Sequence, residues 1–322
     1  MKEIKITDIK GIKIGHAQDI AGATGCTVII CEKGAWAGAD VRGGAPASRE
    51  TELLKSENMV EQIHAVMLSG GSAYGLDAAA GAMQYLEEKG VGFYVGVGVV
   101  PIVCGAALFD LVVGDPKSRP DKAMGYAACD AAYKYEPEDG NVGAGTGASI
   151  GKFLGIGRMM KSGLGIYAVQ AGEVQCAAVV AVNALGDVFN PETGEQIAGL
   201  LNEEKTGLTS TVSAMYDEIG RGRNVFSGNT TLGCVITNAK LTKTQCNKLA
   251  SIAHNGYARA IRPVHTSADG DTIFVLATGE TEVGADGLGA LATEVMAKAI
   301  VNAVIKAKPA YGLKASCDFY SV

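Results

Sequence analysis

The most informative stretch of this chain is Ser227-Gly228-Asn229-Thr230-Thr231-Leu232-Gly233-Cys234-Val235. It joins a small polar segment to an apolar run with high β propensity. The two threonines are β-branched, which favours a strand over a loop. The stretch therefore predicts a buried strand that begins with a hydroxyl residue.

The Thr230 hydroxyl has two interpretations. A threonine becomes a strong nucleophile when a base lies beside it, and its own free α-amine can be that base. This amine is free only if the Asn229–Thr230 bond is cut, so residues 228–231 raise the hypothesis of a self-cleaving protein with an N-terminal nucleophile. Taken alone, Gly-Asn-Thr-Thr is more typical of an ordinary loop that enters a strand.

The composition indicates a chain with a substantial core. Its 322 residues are 48% hydrophobic, which excludes a disordered protein and suffices for one large domain or two ordinary ones. The 44 glycines indicate tight turns and close backbone approaches. A net charge of -6 without a basic cluster gives no electrostatic support for binding to nucleic acid.

The cysteines and histidines predict neither disulfides nor a metal site. The eight cysteines form no CxxC pair, and the four histidines have no metal-type spacing. Buried reduced thiols in a cytoplasmic protein are the expected state.

No membrane segment or signal peptide is expected. The charged N-terminus, Met1 to Lys5, has no apolar core region. The uncharged run Val91–Phe109 is long enough to span a membrane, but its glycines, Pro101 and strand-like alternation favour a buried strand, a turn and a second element. We expect a soluble protein.

Strand and helix patterns alternate along the chain, which predicts a mixed α/β class. Gly38–Pro46 is expected to be a loop, and Glu195–Gly228 a helix followed by an exposed connector. The expected strands are Ile4–Ile6, Ile12–Ile14, Cys26–Cys31, Val60–Leu68, Val174–Asp187, Leu232–Thr237 and Ile273–Ala277. The expected helices are Asp77–Lys89, Ala123–Tyr135, a helix capped by Thr242 and ended by Pro263, and Gly289–Ala307.

Two glycine-rich segments raise the question of anion binding. The turn Ser69–Leu76 exposes backbone N–H groups that suit an anion or oxyanion, although a simple tight turn is the commoner explanation. The segment Gly143–Lys152 does not match the phosphate-loop spacing, so no nucleotide site is expected there.

Three polar residues outside these turns are candidates for chemistry. Asn183 interrupts an apolar strand and must be hydrogen-bonded; it either bridges backbone groups or points an N–H at an oxyanion. Asp269 and Asp271 precede a strand, where they are turn residues, calcium-type ligands or partners of a nucleophile.

Taken together, these motifs resemble those of the L-aminopeptidase D-amidase/esterase and β-peptidyl aminopeptidase family, which includes nylon-oligomer hydrolases. The resemblance runs almost end to end. The matching residues are Gly15-His16, Thr24 to Val28, Asp40 to Pro46, Arg49-Glu50-Thr51, Gly70 to Leu76, Val100 to Val103, Phe109-Asp110-Leu111, Gly143 to Ala148, Val182-Asn183, Asn229-Thr230-Thr231, His265-Thr266 and Asp269-Gly270-Asp271.

The resemblance implies a single domain, residues 1–322, that cuts itself once between Asn229 and Thr230. The resulting chains, 1–229 and 230–322, are expected to stay together. The implied fold is a four-layer αββα sandwich, similar to ornithine acetyltransferase and layered like N-terminal-nucleophile hydrolases. We expect no metal or organic cofactor, a small peptide or amino-acyl amide as substrate, and a homo-oligomer, a tetramer or larger, of processed heterodimers.

The resemblance also assigns roles to individual residues. The family's nucleophile matches Thr230, and the pair that supports it matches Asp269 and Asp271. The asparagine of the oxyanion site matches Asn183, and Lys152 matches a lysine near the site of nylon hydrolases. The ionised aspartates would favour a protonated Thr230 amine, so one of them must be compensated or tuned.

The glycine-rich turn after Val60–Leu68 supplies further candidates: Gly71, Ser72 and Tyr74 could contact the substrate or the oxyanion. Some members of the family have a catalytic tyrosine where this chain has Phe109, so that role is not transferred.

Two other functions remain open from the sequence. A self-cleaving threonine also suits an acyltransferase of the ornithine acetyltransferase type, which passes the acyl group to an amine instead of water. A binding protein that is never cut at Thr230 is the alternative of another class.

Overall fold

The computed structural model describes residues 1–219 and 228–320. The helices are α1 (Ala78–Glu88), α2 (Lys122–Ala132), α3 (Thr211–Ile219), α4 (Lys243–Ala260) and α5 (Ala285–Ile305). The strands are β1 (Lys2–Glu3), β2 (Ile12–Asp19), β3 (Thr24–Val41), β4 (Ser48–Arg49), β5 (Gln62–Ser69), β6 (Phe93–Tyr94), β7 (Val99–Val100), β8 (Val103–Ala107), β9 (Ser149–Ile150), β10 (Met160–Lys161), β11 (Leu164–Ala171), β12 (Val174–Asn183), β13 (Asp187–Phe189), β14 (Gln196–Ala198), β15 (Thr230–Ala239), β16 (Ile261–Arg262) and β17 (Thr272–Thr281).

The long strand β3 connects two sheets. The hydrogen-bonded order is β1-β11-β12-β15-β17-β3-β5-β8-β4, and β2 pairs with β3 outside this path. The later part of β3 pairs with β17, whereas its first half lies between β2 and β5. The hydrogen-bonded strands therefore form two layers joined through β3: one sheet is β1-β11-β12-β15-β17, and the other is β2-β3-β5-β8-β4.

Alternation along the strands divides the buried side chains into three layers of core. Val180, Val235 and Val275 face α4 and α5 in one cluster. Their neighbours Val179, Cys234 and Phe274 face the opposite way and pack against the other sheet, where they meet Ile29 and Val66.

The third layer lies on the far side of the second sheet, where Val28 and Met67 pack against α1 and α2. The order of layers is thus helices, sheet, sheet, helices, and the expected αββα sandwich is confirmed.

The structure corrects three local predictions. The strand expected over Val174–Asp187 ends at Asn183, and Asp187 begins the separate strand β13 in another sheet. The segment from Gly38 to Val41 belongs to β3 instead of a loop, because it pairs with β17 up to Val41↔Thr272. Glycine is needed at 38 because α4 crosses closely: a Cβ there would lie 2.3 Å from the backbone nitrogen of Asn247. The strand expected at Ile4–Ile6 is also wrong, since β1 ends at Glu3 and Ile6 begins a short 3-10 turn.

The four long predicted helices are confirmed with shifts of a few residues at their ends. Thr242 caps α4 by accepting a hydrogen bond from the N–H of Gln245, as expected. Helix α3 confirms a helix between Glu195 and Gly228, and residues 220–227 of the expected connector lie outside the described residues.

The run Val91–Phe109 forms the hairpin β6–β7 and the buried strand β8. In the described part of the chain, one helix, α5, is long and apolar enough to cross a membrane by length and composition. It packs against β11, β12 and α4 in the first core cluster, which accounts for its apolar sequence.

Candidate active site

Thr230 is the first residue of β15, between two neighbouring strands. Asn183 at the end of β12 pairs with it on one side, and β17 runs parallel to β15 on the other, with Leu232 opposite Thr272. The Thr230 side chain is buried, and its hydroxyl donates a hydrogen bond to the carbonyl oxygen of Asn229. The hydroxyl therefore lies against the carbonyl group that self-cleavage would have to attack.

The turn before β17 supplies the other partner of that carbonyl. The N–H of Gly270 donates to the oxygen of Asn229 at 2.9 Å, within a single parallel bridge between Asn229 and Asp269. A Cβ at position 270 would lie 2.7 Å from Oγ1 of Thr230, so a side chain there would displace the hydroxyl.

Asp271 holds the start of β15 through the backbone. Its Oδ1 accepts the N–H of Thr231 at 2.7 Å. Its Oδ2 accepts two hydrogen bonds from His265, one from the backbone N–H at 3.0 Å and one from Nδ1 at 2.9 Å. The carboxylate thus fixes the residue that follows Thr230 instead of bonding to the Thr230 hydroxyl.

Asp269 is held within its own turn. Its Oδ2 accepts hydrogen bonds from the N–H of Thr266 at 2.7 Å and from its hydroxyl at 2.6 Å. Burial, and then the neighbouring charge of Asp271, raise the pKa of Asp269 to about 6. The fold therefore shifts Asp269 toward the protonated form.

Lys152 lies on the other side of the Thr230 strand. It is buried, and its Nζ donates to Oδ1 of Asn183 at 2.6 Å, to the carbonyl of Asn183 at 3.1 Å and to the carbonyl of Gly228 at 3.4 Å. Burial lowers the pKa of Lys152 to about 7, against the opposing charges of Asp269 and Asp110. An amine that reaches the Gly228 carbonyl can thus change its charge near neutral pH.

Asn183 links Lys152 to the backbone of two other segments. Its Oδ1 also accepts the N–H of Ser149 at 3.1 Å, and its Nδ2 donates to the carbonyl of Phe109 at 2.9 Å. One N–H of the amide is therefore engaged, and the second is the group that could serve an oxyanion, since an amide nitrogen carries two donors.

The candidates Gly71, Ser72 and Tyr74 have partners elsewhere. The N–H of Gly71 donates to Oδ1 of Asp110 at 2.7 Å, and the N–H of Ser72 donates to the carbonyl of Leu108 at 2.8 Å. Tyr74 is exposed, and its ring stacks with the guanidinium of Arg119 at 3.7 Å. The turn does bind an anion, but that anion is an internal carboxylate, and a contact of these residues with substrate stays a prediction.

Sequence reasoning missed two contributors to the site. His265 appeared only as a motif residue, although it supplies two of the three hydrogen bonds to Asp271. The backbone N–H of Gly270 has no side-chain signature, and a glycine between two aspartates before a strand was the available signal.

Within residues 1–219 and 228–320, no group of three or more His, Cys, Asp and Glu side chains could hold a metal ion. Independence from metals and cofactors stays a prediction, which activity after dialysis against a chelator would check.

The chain is similar to known proteins over nearly its whole length. The model of peptidase family S58 matches residues 5–317. A Mycobacterium leprae protein described as an uncharacterized aminopeptidase is 38% identical over 98% of this chain and 94% of its own length. A 6-aminohexanoate-oligomer endohydrolase of Agromyces sp. (strain KY5R) is 32% identical over 94% of this chain and 86% of its own length.

Solved structures share the fold. An L-aminopeptidase D-Ala-esterase/amidase of Ochrobactrum anthropi, described as a variant of the Ntn hydrolase fold, has a TM-score of 0.72 at 18% identity, covering 94% of this chain and 86% of that chain. A Burkholderia sp. β-aminopeptidase has a TM-score of 0.71 at 20% identity, covering 97% and 90%.

The layered fold and the related sequences define the class: a peptide or amide hydrolase with the architecture of N-terminal-nucleophile hydrolases. The chain belongs to peptidase family S58. The resemblance seen in the sequence is confirmed, and the hydrolase is favoured over the acyltransferase and the binding protein.

Proposed function

We propose that this chain cuts itself between Asn229 and Thr230 and then hydrolyses amide bonds of small peptides or amino-acyl amides through an acyl-enzyme on Thr230. The observation that carries the proposal is the Thr230 hydroxyl, which lies against the Asn229 carbonyl while Gly270 binds the same oxygen. The nucleophile, the target carbonyl and a backbone N–H donor thus meet at one peptide bond.

Self-cleavage gives Thr230 a second function. After the cut its α-amine is free, with a reference pKa of about 7.7 to 8.0, so that a sizeable neutral fraction can accept the hydroxyl proton near pH 7. Thr230 then attacks the substrate carbonyl and forms an ester, and water releases the acid. Asp271 holds the strand start in register through the Thr231 N–H.

The space for the substrate would come from the departing segment. Thr230 is only 4% exposed in the uncut chain. Gly228 packs so tightly on the Phe109 side chain that a Cβ would lie 2.4 Å from the ring, and its carbonyl receives Lys152. When the new end at Asn229 moves away, a space lined by Phe109, Lys152 and Asn183 would open in front of Thr230.

Variants at the two threonines test the proposal. The wild-type chain of 33.0 kDa should give two bands on a denaturing gel, and mass analysis should find a fragment that begins Thr-Thr-Leu-Gly. Thr230→Ala should stay uncut and inactive on amino-acyl p-nitroanilides. Thr230→Ser keeps the oxygen but loses the methyl group that restricts χ1. Its cleavage should be slower than that of wild type by about two orders of magnitude.

Thr231→Val is the matched control. The Thr231 hydroxyl is buried without a hydrogen-bond partner in the described chain, and valine has the same shape, so this variant should still be cut between Asn229 and Thr230. An uncut wild-type chain that is fully active, or cleavage that survives in Thr230→Ala but not in Thr231→Val, would overturn the proposal.

We further infer that the enzyme works in the cytoplasm as a homo-oligomer, a tetramer or larger. All eight cysteines are free, which suits a reducing compartment. The β6–β7 hairpin exposes Tyr94 and Val97, the latter by 97%, which suits an interface between copies. Light scattering of the processed protein would measure its mass.

A further inference from the structure

The peptide unit between Asp269 and Gly270 is held at both of its polar ends. Its N–H donates to the oxygen of Asn229 at 2.9 Å, and its carbonyl, that of Asp269, accepts the N–H of Ala45 at 2.8 Å. The next carbonyl, that of Gly270, accepts the hydroxyl of Thr272 at 2.9 Å. The donor is therefore fixed in direction before any reaction, as effective oxyanion stabilisation requires.

We propose that the backbone N–H of Gly270 is the oxyanion donor of the self-cleavage step. The inference rests on the proposed function and assigns a catalytic group to it. The Thr230 Oγ1 forms a bond to the carbonyl carbon of Asn229, and the carbonyl oxygen takes up the negative charge against the Gly270 N–H. The C–N bond to Thr230 then breaks, and the hydroxyl proton ends on the new amine.

The ester that results is hydrolysed by water, which leaves a carboxylate on Asn229 and restores the Thr230 hydroxyl. No reactant other than water is consumed.

The other donors of the site point elsewhere. Nδ2 of Asn183 donates to the carbonyl of Phe109, and Nζ of Lys152 reaches the carbonyl of Gly228, one residue before Asn229. Among the described contacts, Gly270 supplies the backbone N–H that binds the carbonyl oxygen of Asn229. The first cut thus uses a donor different from the Asn183 amide that the family resemblance assigns to substrate turnover.

The absence of a side chain at 270 has a direct reason. A Cβ there would lie 2.7 Å from the Thr230 Oγ1 and 3.0 Å from the carbonyl oxygen of Ala45. The first contact is too short for a Cβ and the second is tight, so a side chain at 270 would push against the attacking hydroxyl. The position therefore supplies an N–H and, at the same time, room for the attacking hydroxyl.

The test replaces this N–H without adding an atom that could clash. Glycolic acid, introduced at position 270 of the full chain by in vitro translation, substitutes an ester oxygen for the N–H. The release of fragment 230–322 is then followed over time by mass spectrometry. Loss of one oxyanion donor costs about 10²–10³ in rate, and we expect cleavage to slow by that factor.

Glycolic acid at Gly287 is the matched control. That glycine is exposed in the first turn of α5, where N–H groups have no partner within the helix, and nothing lies near its missing Cβ. This variant should be cut at the wild-type rate. Gly270→Ala, made in the ordinary way, should also slow cleavage at least tenfold, because its Cβ meets Thr230.

The outcomes separate this inference from the function beneath it. Glycolic acid at 270 that is cut within about twofold of the wild-type rate would overturn the Gly270 assignment and leave the self-cleaving hydrolase intact. A wild-type chain that is never cut at Asn229–Thr230 would overturn both.

Discussion

Lys152 and Lys161 are two buried lysines with the same ionisation and different surroundings. Burial lowers the pKa of each to about 7. The Lys161 ammonium donates to three backbone carbonyls, those of Gly145, Ala148 and Ser162. Lys152 instead donates to a side chain, that of Asn183, and reaches the carbonyl of Gly228 beside the proposed cut.

The difference shows that burial and a lowered pKa do not identify a functional amine. Lys161 fills the acceptors of a folded loop, and its loss would leave those carbonyls without a partner. Lys152 has one partner, the Gly228 carbonyl, that the proposed cleavage would release, so the environment of Lys152 would change on cleavage. We therefore expect a structural role for Lys161 and a role in reaction for Lys152.

The largest effect is expected for Asp271, and the equally buried Asp110 is its control. Asp271→Asn keeps the size of a side chain that orients the start of β15, and it should lower cleavage and turnover by about 10⁴, as loss of a triad orienter does. Asp110→Asn is equally buried, but its carboxylate bonds to Thr24 and Gly71. The Asp110→Asn variant should be less stable than wild type but be cut within about tenfold of the wild-type rate. An equal loss of cleavage in both folded variants would show that Asp271 has no special role in the reaction.

The next effect separates the lysines themselves. Lys152→Met should slow cleavage by about 10², because a preorganised charge beside the reacting carbonyl is lost. Lys161→Met should be cut normally yet unfold more easily by about 2–5 kcal/mol, since three buried carbonyls lose their donor. Fragment release and urea unfolding of both variants measure these outcomes, and the reverse pattern would contradict the assigned roles.

The smallest effect concerns pH. An unfolded lysine binds a proton up to about pH 10.5, whereas folded Lys161 releases it near pH 7. The unfolded state therefore binds more protons between these values, and stability should rise with pH. From pH 7 to 9 one lysine contributes about 2 kcal/mol, at ~1.4 kcal/mol per pH unit and proton.

Urea unfolding at pH 7, 8 and 9 checks this sign. The free energy of unfolding should rise more steeply with pH for the wild type than for Lys161→Met. A difference between the two proteins that stays constant or shrinks would show that Lys161 remains charged in the fold.

The sequence predicted the elements that have a local signature. The periodicity of α4 and its Thr242 cap, the apolar run of β12 and the hydroxyl at the start of β15 were all legible before the fold was known. Gly38–Val41 was assigned to a loop because its pairing with β17 comes from residues more than two hundred positions away. No local pattern carries such a contact.

The site was predictable in its side chains and less so in its geometry. Thr230, Asn183 and Lys152 do lie together, as the family resemblance implied, and their catalytic roles remain proposals. The sequence assigned Asp271 to the support of Thr230 without naming its contact, and the structure shows that the carboxylate binds the N–H of Thr231. Backbone donors such as the Gly270 N–H are common to nearly all residues, so only the fold can single one out.

The position of β15 and β17 has a consequence for the life of the processed molecule. Both strands follow the proposed cut, yet β15 pairs with β12 and β17 pairs with β3, so the later chain would be flanked on each side by the earlier one. The two chains cannot separate without breaking the strand pairs β12–β15 and β3–β17, so dilution alone should not separate them. Once unfolded, however, the two pieces must find each other in solution, so reassembly depends on concentration although the first folding did not. The cut would make maturation a one-way event.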